Sequence, residues 1–101
     1  MPERTDTPQI NEALRRAQGP DTATRTLLVK IANRLTAVRP AGEIHDSRRL
    51  ALALRYATGA HGFRTPAAND AERRLLRHMP AIEPGITRGE YALRLRRAAS
   101  R

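Results

Sequence analysis

Apolar residues recur along this chain at the three- and four-residue spacings of amphipathic helices, and turn residues divide the recurrence into five segments. Pro8 to Gln18 carries Ile10, Ala13, Leu14 and Ala17 on one stripe, opens on a Thr7-Pro8 cap and ends at Gly19-Pro20. Asp21 caps a second segment that runs to Val38, with Leu27, Leu28, Ile31, Leu35 and Val38 as its buried side. The third, Asp46 to Thr58, places Leu50, Ala53, Leu54 and Ala57 on one face and Leu52 and Tyr56 on roughly the opposite one. A helix apolar on two sides wants neighbours on both, so this segment is expected to be the central one. Asp46 would cap it, and Gly59 would end it in the left-handed conformation.

Two more segments follow. Thr65-Pro66 repeats the cap-and-proline start, with Asn69 and Glu72 as an alternative capping box one turn later, and Ala71, Leu75, Leu76 and Met79 form the buried side. Between the third and fourth segments, Phe63 is expected to plug the core from a loop. Thr87 and Glu90 have capping-box spacing, and Tyr91, Leu95, Ala98 and Ala99 then face inward. Leu50 to Leu54 alternates superficially, but its residues are good helix formers and none is β-branched. The expected fold is all-α: a compact bundle of about five helices with no sheet. Residues 1–6 are expected to be a disordered N-terminal segment and residues 7–101 a single helical domain.

Composition narrows the function. The chain has 101 residues and no cysteine, which removes disulfide scaffolds, thiolate metal sites and thiol nucleophiles together. No apolar run approaches the ~18 residues of a membrane span, and the N-terminus lacks the order of a signal peptide, so a cytoplasmic protein with no membrane partner is expected. Aromatic residues are scarce and alanine is abundant, which favours close helix contacts and makes a homodimer a reasonable way to add burial.

Charge changes the picture most. The formal net charge is +9, and every cation except Lys30 is an arginine. From Asp46 to Arg101, twelve arginines stand against five acids. An excess of this size attracts polyanions. Arg73, Arg74 and Arg77 occupy, with His78, an arc of about 140° on the fourth helix, and Arg94, Arg97 and Arg101 lie within about 60° on the fifth. Guanidinium groups donate paired hydrogen bonds to phosphate oxygens, so these two clusters are the candidate nucleic-acid-binding residues. Nucleic acid, DNA or RNA, heads the list of expected partners.

Catalysis has little support in the sequence. His45, His61 and His78 sit in different segments without metal-ligand spacing, and no Gly-rich phosphate loop or nucleophile elbow is present. No enzyme activity, metal or cofactor is expected. The function read from the chain is non-catalytic nucleic-acid binding by an accessory or regulatory protein. The alternative is a helical protein-protein interaction module, a small subunit of an assembly or an inhibitor docking on an acidic partner. Leu52 and Leu93, each turned away from the main stripe of its helix, would be its contact residues.

Overall fold

The computed structural model describes residues 19–101, so the expected Pro8 to Gln18 helix and the expected disordered start lie outside the described residues. Four helices follow in order: α1 (Thr22–Ala37), α2 (Asp46–His61), α3 (Pro66–His78) and α4 (Arg88–Ala99). No strand forms among the described residues; a lone antiparallel bridge pairs Glu43 with Thr87. The all-α expectation holds.

Helices α1 and α4 pack side by side, and their polarity follows from two long-range contacts. Arg25, near the start of α1, donates to the carbonyl oxygen of Arg101 beyond the end of α4 (2.8 Å), while Arg88, at the start of α4, donates to that of Val38 beyond the end of α1 (2.8 Å). The pair is therefore antiparallel. Leu28, Ile31 and Leu35 meet Tyr91 and Leu95 in its interior, all fully buried, and each contributes roughly 1.5–3 kcal/mol of apolar burial. Ala32, Ala92, Ala98 and Ala99 surround them, and side chains this small let the two axes approach closely. The Tyr91 hydroxyl donates to the Pro80 carbonyl oxygen at 2.7 Å. Burial pushes its pKa well up, so the phenol stays a donor and pins the 79–87 connector to α4.

Among the described helices the Asp46 helix is not the central one: α1 and α3 each touch the other three, whereas α2 leans mainly on α3. This changes which face of α2 is buried. Leu52, Ala53 and Ala57 point inward with Tyr56 half-buried, while Leu50 and Leu54 are 48% and 49% exposed. At about 100° per residue, the buried arc is turned by roughly 80° from the expected one. A helix with neighbours on one side has one arc to bury, and the alanines set it by permitting close contact with α3.

Local capping follows the sequence except at α2. Asp21 accepts from the Thr24 amide (2.8 Å), Thr65 from that of Ala68 (3.0 Å), and Thr87 and Glu90 complete a reciprocal capping box. Asp46 is instead the first residue of α2, behind a His45 N-cap with no side-chain bond. Its carboxylate accepts from Arg49 (2.8 Å) and from the Ile82 amide (3.2 Å), a tertiary contact that outcompetes capping. Gly59 stays helical, and Gly62, at φ 90°, ends α2. Phe63 does not plug the core; in the turn after Gly62 it is 69% exposed, with the Arg64 guanidinium 5.0 Å from its ring centroid.

Candidate anion-binding site

The segment that links α1 to α2 builds one wall of an open cavity. It folds back on the first turn of α4, where the Arg88 amide donates to Gly42 (2.8 Å), the Gly89 amide to Pro40 (2.8 Å), and the Ile44 amide to Ile86 (3.1 Å). A Cβ on Gly89 would stand 3.2 Å from the Pro40 carbonyl oxygen, so glycine lets the loop close this tightly. Arg39, at φ 49°, takes the left-handed conformation to make the turn, which costs a non-glycine residue roughly 1–2 kcal/mol.

Five arginines ring the resulting cavity of about 310 Å³: Arg34 and Arg39 from the end of α1 and its loop, Arg48 and Arg55 from α2, and Arg88 from α4. Val38, Leu52 and Tyr56 also line it, and among the described residues the lining contains no carboxylate. On α2, Arg48, Leu52, Arg55 and Tyr56 fall within an arc of about 100°, so one stripe of a single helix supplies two cations and two apolar groups. Arg88 is half-buried and held by its bond to Val38, whereas the other four side chains are exposed. Among the described residues, none of the five makes a salt bridge. Arg49, at the edge of the same arc of α2, is by contrast held by Asp46 and lies 3.3 Å from the Met79 carbonyl oxygen.

The electrostatic consequence appears at Arg88. Burial pushes its pKa below that of ordinary arginine, and the guanidiniums of Arg39, Arg48 and Arg34 push it further the same way. Arginine remains charged regardless, so the shift reflects burial first and three like-charged neighbours second. Concave sites lined by one sign of charge focus the field and concentrate ions of the opposite sign.

The expected basic clusters are arranged differently. Arg73 lies 3.6 Å from Asp70, and Arg74 is bound by both Asp70 (2.9 Å) and Asp21. The hydrogen bond to Asp21 leads the causes that raise the Arg74 pKa. Arg94 pairs with Glu83 at 2.6 Å. Arg77, Arg97 and Arg101 are exposed. Arg101 lies beyond the end of α4 at Ala99, so the expected arginine ridge of the last helix is reduced to Arg94 and Arg97 on the helix itself. Of the two candidate docking leucines, Leu93 is 57% exposed, but Leu52 is only 6% exposed and belongs to the core and the cavity wall. Leu52 is therefore no surface contact residue. The turned face of α2 that exposes Leu50 and Leu54 is the same one that buries it.

Among the described residues, no three of the His, Asp and Glu side chains gather to hold a metal ion, and no helix is long and apolar enough to cross a membrane. The chain matches no protein-family model, no curated protein and no solved structure.

Proposed function

We propose that this protein binds nucleic acid, DNA or RNA, without catalysis, as an accessory or regulatory factor, and that the arginine cavity is its principal contact. The observation that carries the reading is that five arginines line one cavity whose lining, among the described residues, includes no carboxylate. Surface arginines in folded proteins usually find acidic neighbours, as Arg74 and Arg94 do here. Five without one among the described residues, on a chain of net charge +9, suit a ligand that brings the negative charge itself. Arg73, Arg74, Arg77, Arg94, Arg97 and Arg101 then add long-range attraction, which is less sensitive to local pairing than direct contact is.

The test is binding of labelled single strands and duplexes across a salt series, for the wild type and for Arg48→Ala with Arg55→Ala. Each phosphate contact contributes about 0.7 to the logarithmic salt slope on a single strand and about 0.9 on a duplex, so two lost contacts flatten the slope by roughly 1.4 to 1.8. Equal affinity and equal slope for the two proteins would remove the reading. A protein-docking role draws its support from Leu50, Leu54 and Leu93, apolar groups left in solvent beside arginines. Under that reading Leu50→Asp with Leu54→Asp abolishes capture of a protein partner and leaves strand binding intact.

A further inference from the structure

We infer that the arginine cavity receives a terminal phosphomonoester of a nucleotide, borne on the end of a single strand or on a free mononucleotide, in preference to an internal phosphodiester. The inference rests on the nucleic-acid reading for its strand source, and it concerns which phosphate the cavity selects. Three features point to a chain end. The arginines come from three separate places, residues 34 and 39, residues 48 and 55, and residue 88, and line one space instead of one helix row. A row tracks a backbone; a convergent cup concentrates charge on one group.

Charge and shape agree with this. An internal phosphodiester carries one negative charge and two free oxygens, and its chain must leave the cup in two directions. A terminal monoester carries nearly two charges at neutral pH, because its second pKa is about 6, and offers three free oxygens to the forked donors of arginine. It needs a single exit. The volume of about 310 Å³ is too small for a duplex, yet it exceeds what a lone inorganic anion fills.

The remaining lining accounts for that extra space. Val38, Leu52 and Tyr56 give part of the wall an apolar, aromatic character that a bare phosphate has no use for. Half-buried Tyr56 offers a ring beside the cations, on which a terminal sugar or base can rest. Arg88, fixed by its bond to the Val38 carbonyl oxygen, is the pre-positioned donor at the base, and the four exposed arginines close over the phosphate.

The experiment measures fluorescence anisotropy of one short single-stranded sequence in four forms: 5′-phosphorylated, 3′-phosphorylated, and hydroxyl-ended with the label at either end. Adenosine 5′-monophosphate and inorganic phosphate serve as competitors. A strand phosphorylated at one end or the other binds at least tenfold more tightly than its hydroxyl-ended counterpart, and adenosine monophosphate competes better than inorganic phosphate does. Arg48→Gln with Arg55→Gln collapses the tenfold gap at unchanged helicity by circular dichroism, whereas Arg97→Ala with Arg101→Ala lowers overall affinity and keeps the gap. Arg48→Lys with Arg55→Lys, which preserves charge and fold but not the forked donors, narrows the gap.

The outcomes separate the two claims. Salt-sensitive binding that ignores the state of both ends overturns the end-selecting cavity and leaves the nucleic-acid reading standing. Adenosine monophosphate binding without any strand binding assigns the cavity to the free nucleotide and overturns that reading instead. Binding of neither a strand nor adenosine monophosphate overturns both.

Discussion

Removing cations from the cavity is expected to make the protein more stable, and the size of the effect follows from the geometry. The cavity of about 310 Å³ has the volume of a sphere roughly 8 Å across; at a working separation on the order of 9 Å, two unit charges in water repel by about 0.5 kcal/mol. Five charges make ten pairs; Arg48→Ala with Arg55→Ala leaves three charges and three pairs, and so deletes seven repulsions. Unscreened, that amounts to about 3 kcal/mol. At 0.15 M salt the Debye length of about 8 Å reduces each term to about a third, giving roughly 1 kcal/mol, and at 0.01 M about three quarters survive, giving roughly 2.5 kcal/mol. These are upper figures, because the unfolded chain keeps part of the repulsion.

Little opposes the gain. Both side chains are exposed and make no salt bridge among the described residues, and alanine is the better helix former. For a domain of this size, 1 kcal/mol moves the melting temperature by about 4–8 °C. Thermal melts followed by circular dichroism therefore show the double variant melting higher than the wild type, by about that amount at 0.15 M salt and by roughly twice as much at 0.01 M. A variant that melts lower, or a difference that does not shrink as salt is added, would mean that the two guanidiniums are engaged in stabilising contacts and that the cavity is not uncompensated.

Two further perturbations test neighbouring parts of the structure. Leu52→Asp puts a carboxylate where a side chain is 6% exposed in the core, and should cost at least about 3 kcal/mol, while Leu93→Asp, on an exposed site, should stay within about 0.5 kcal/mol; urea titration of both variants distinguishes them, and equal midpoints would contradict the orientation of α2. Arg39→Gly relieves a left-handed backbone and should add roughly 0.5–1 kcal/mol to stability while weakening binding of phosphorylated strands, measured by melting and anisotropy on the same preparation. Loss of both together would show that Arg39 holds the loop, and not a ligand.

What the sequence revealed, and what it concealed, divides along the range of the interactions. The caps at Asp21, Thr65 and Thr87 were legible because each is closed by an amide within three residues, so no tertiary information is needed. Asp46 has the same local credentials, but its carboxylate is claimed by the Ile82 amide 36 residues away. The face of α2 failed for a related reason: its two apolar sides could be ranked only by knowing that α3 lies against one of them and that no described helix covers the other. The arginines carry the point furthest. Helical spacing picked out Arg73, Arg74 and Arg77 and the row from Arg94 to Arg101, yet spacing cannot show Asp21 reaching Arg74 across 53 residues or Glu83 reaching Arg94.

A guanidinium is available to a ligand when no carboxylate of the fold arrives first, and that is decided by tertiary contacts. Arg34, Arg39, Arg48, Arg55 and Arg88 share no helical turn, so no periodicity marks them as a group. One partial signal did stand in the sequence: Arg48 and Arg55, seven residues apart with Leu52 and Tyr56 on the same stripe, come to the cavity from a single helix face. An arginine pair interleaved with apolar residues on one stripe indicates a surface where cations border buried groups. There the stems are fixed by packing and the heads stay free, so little side-chain entropy remains to be lost when an anion arrives.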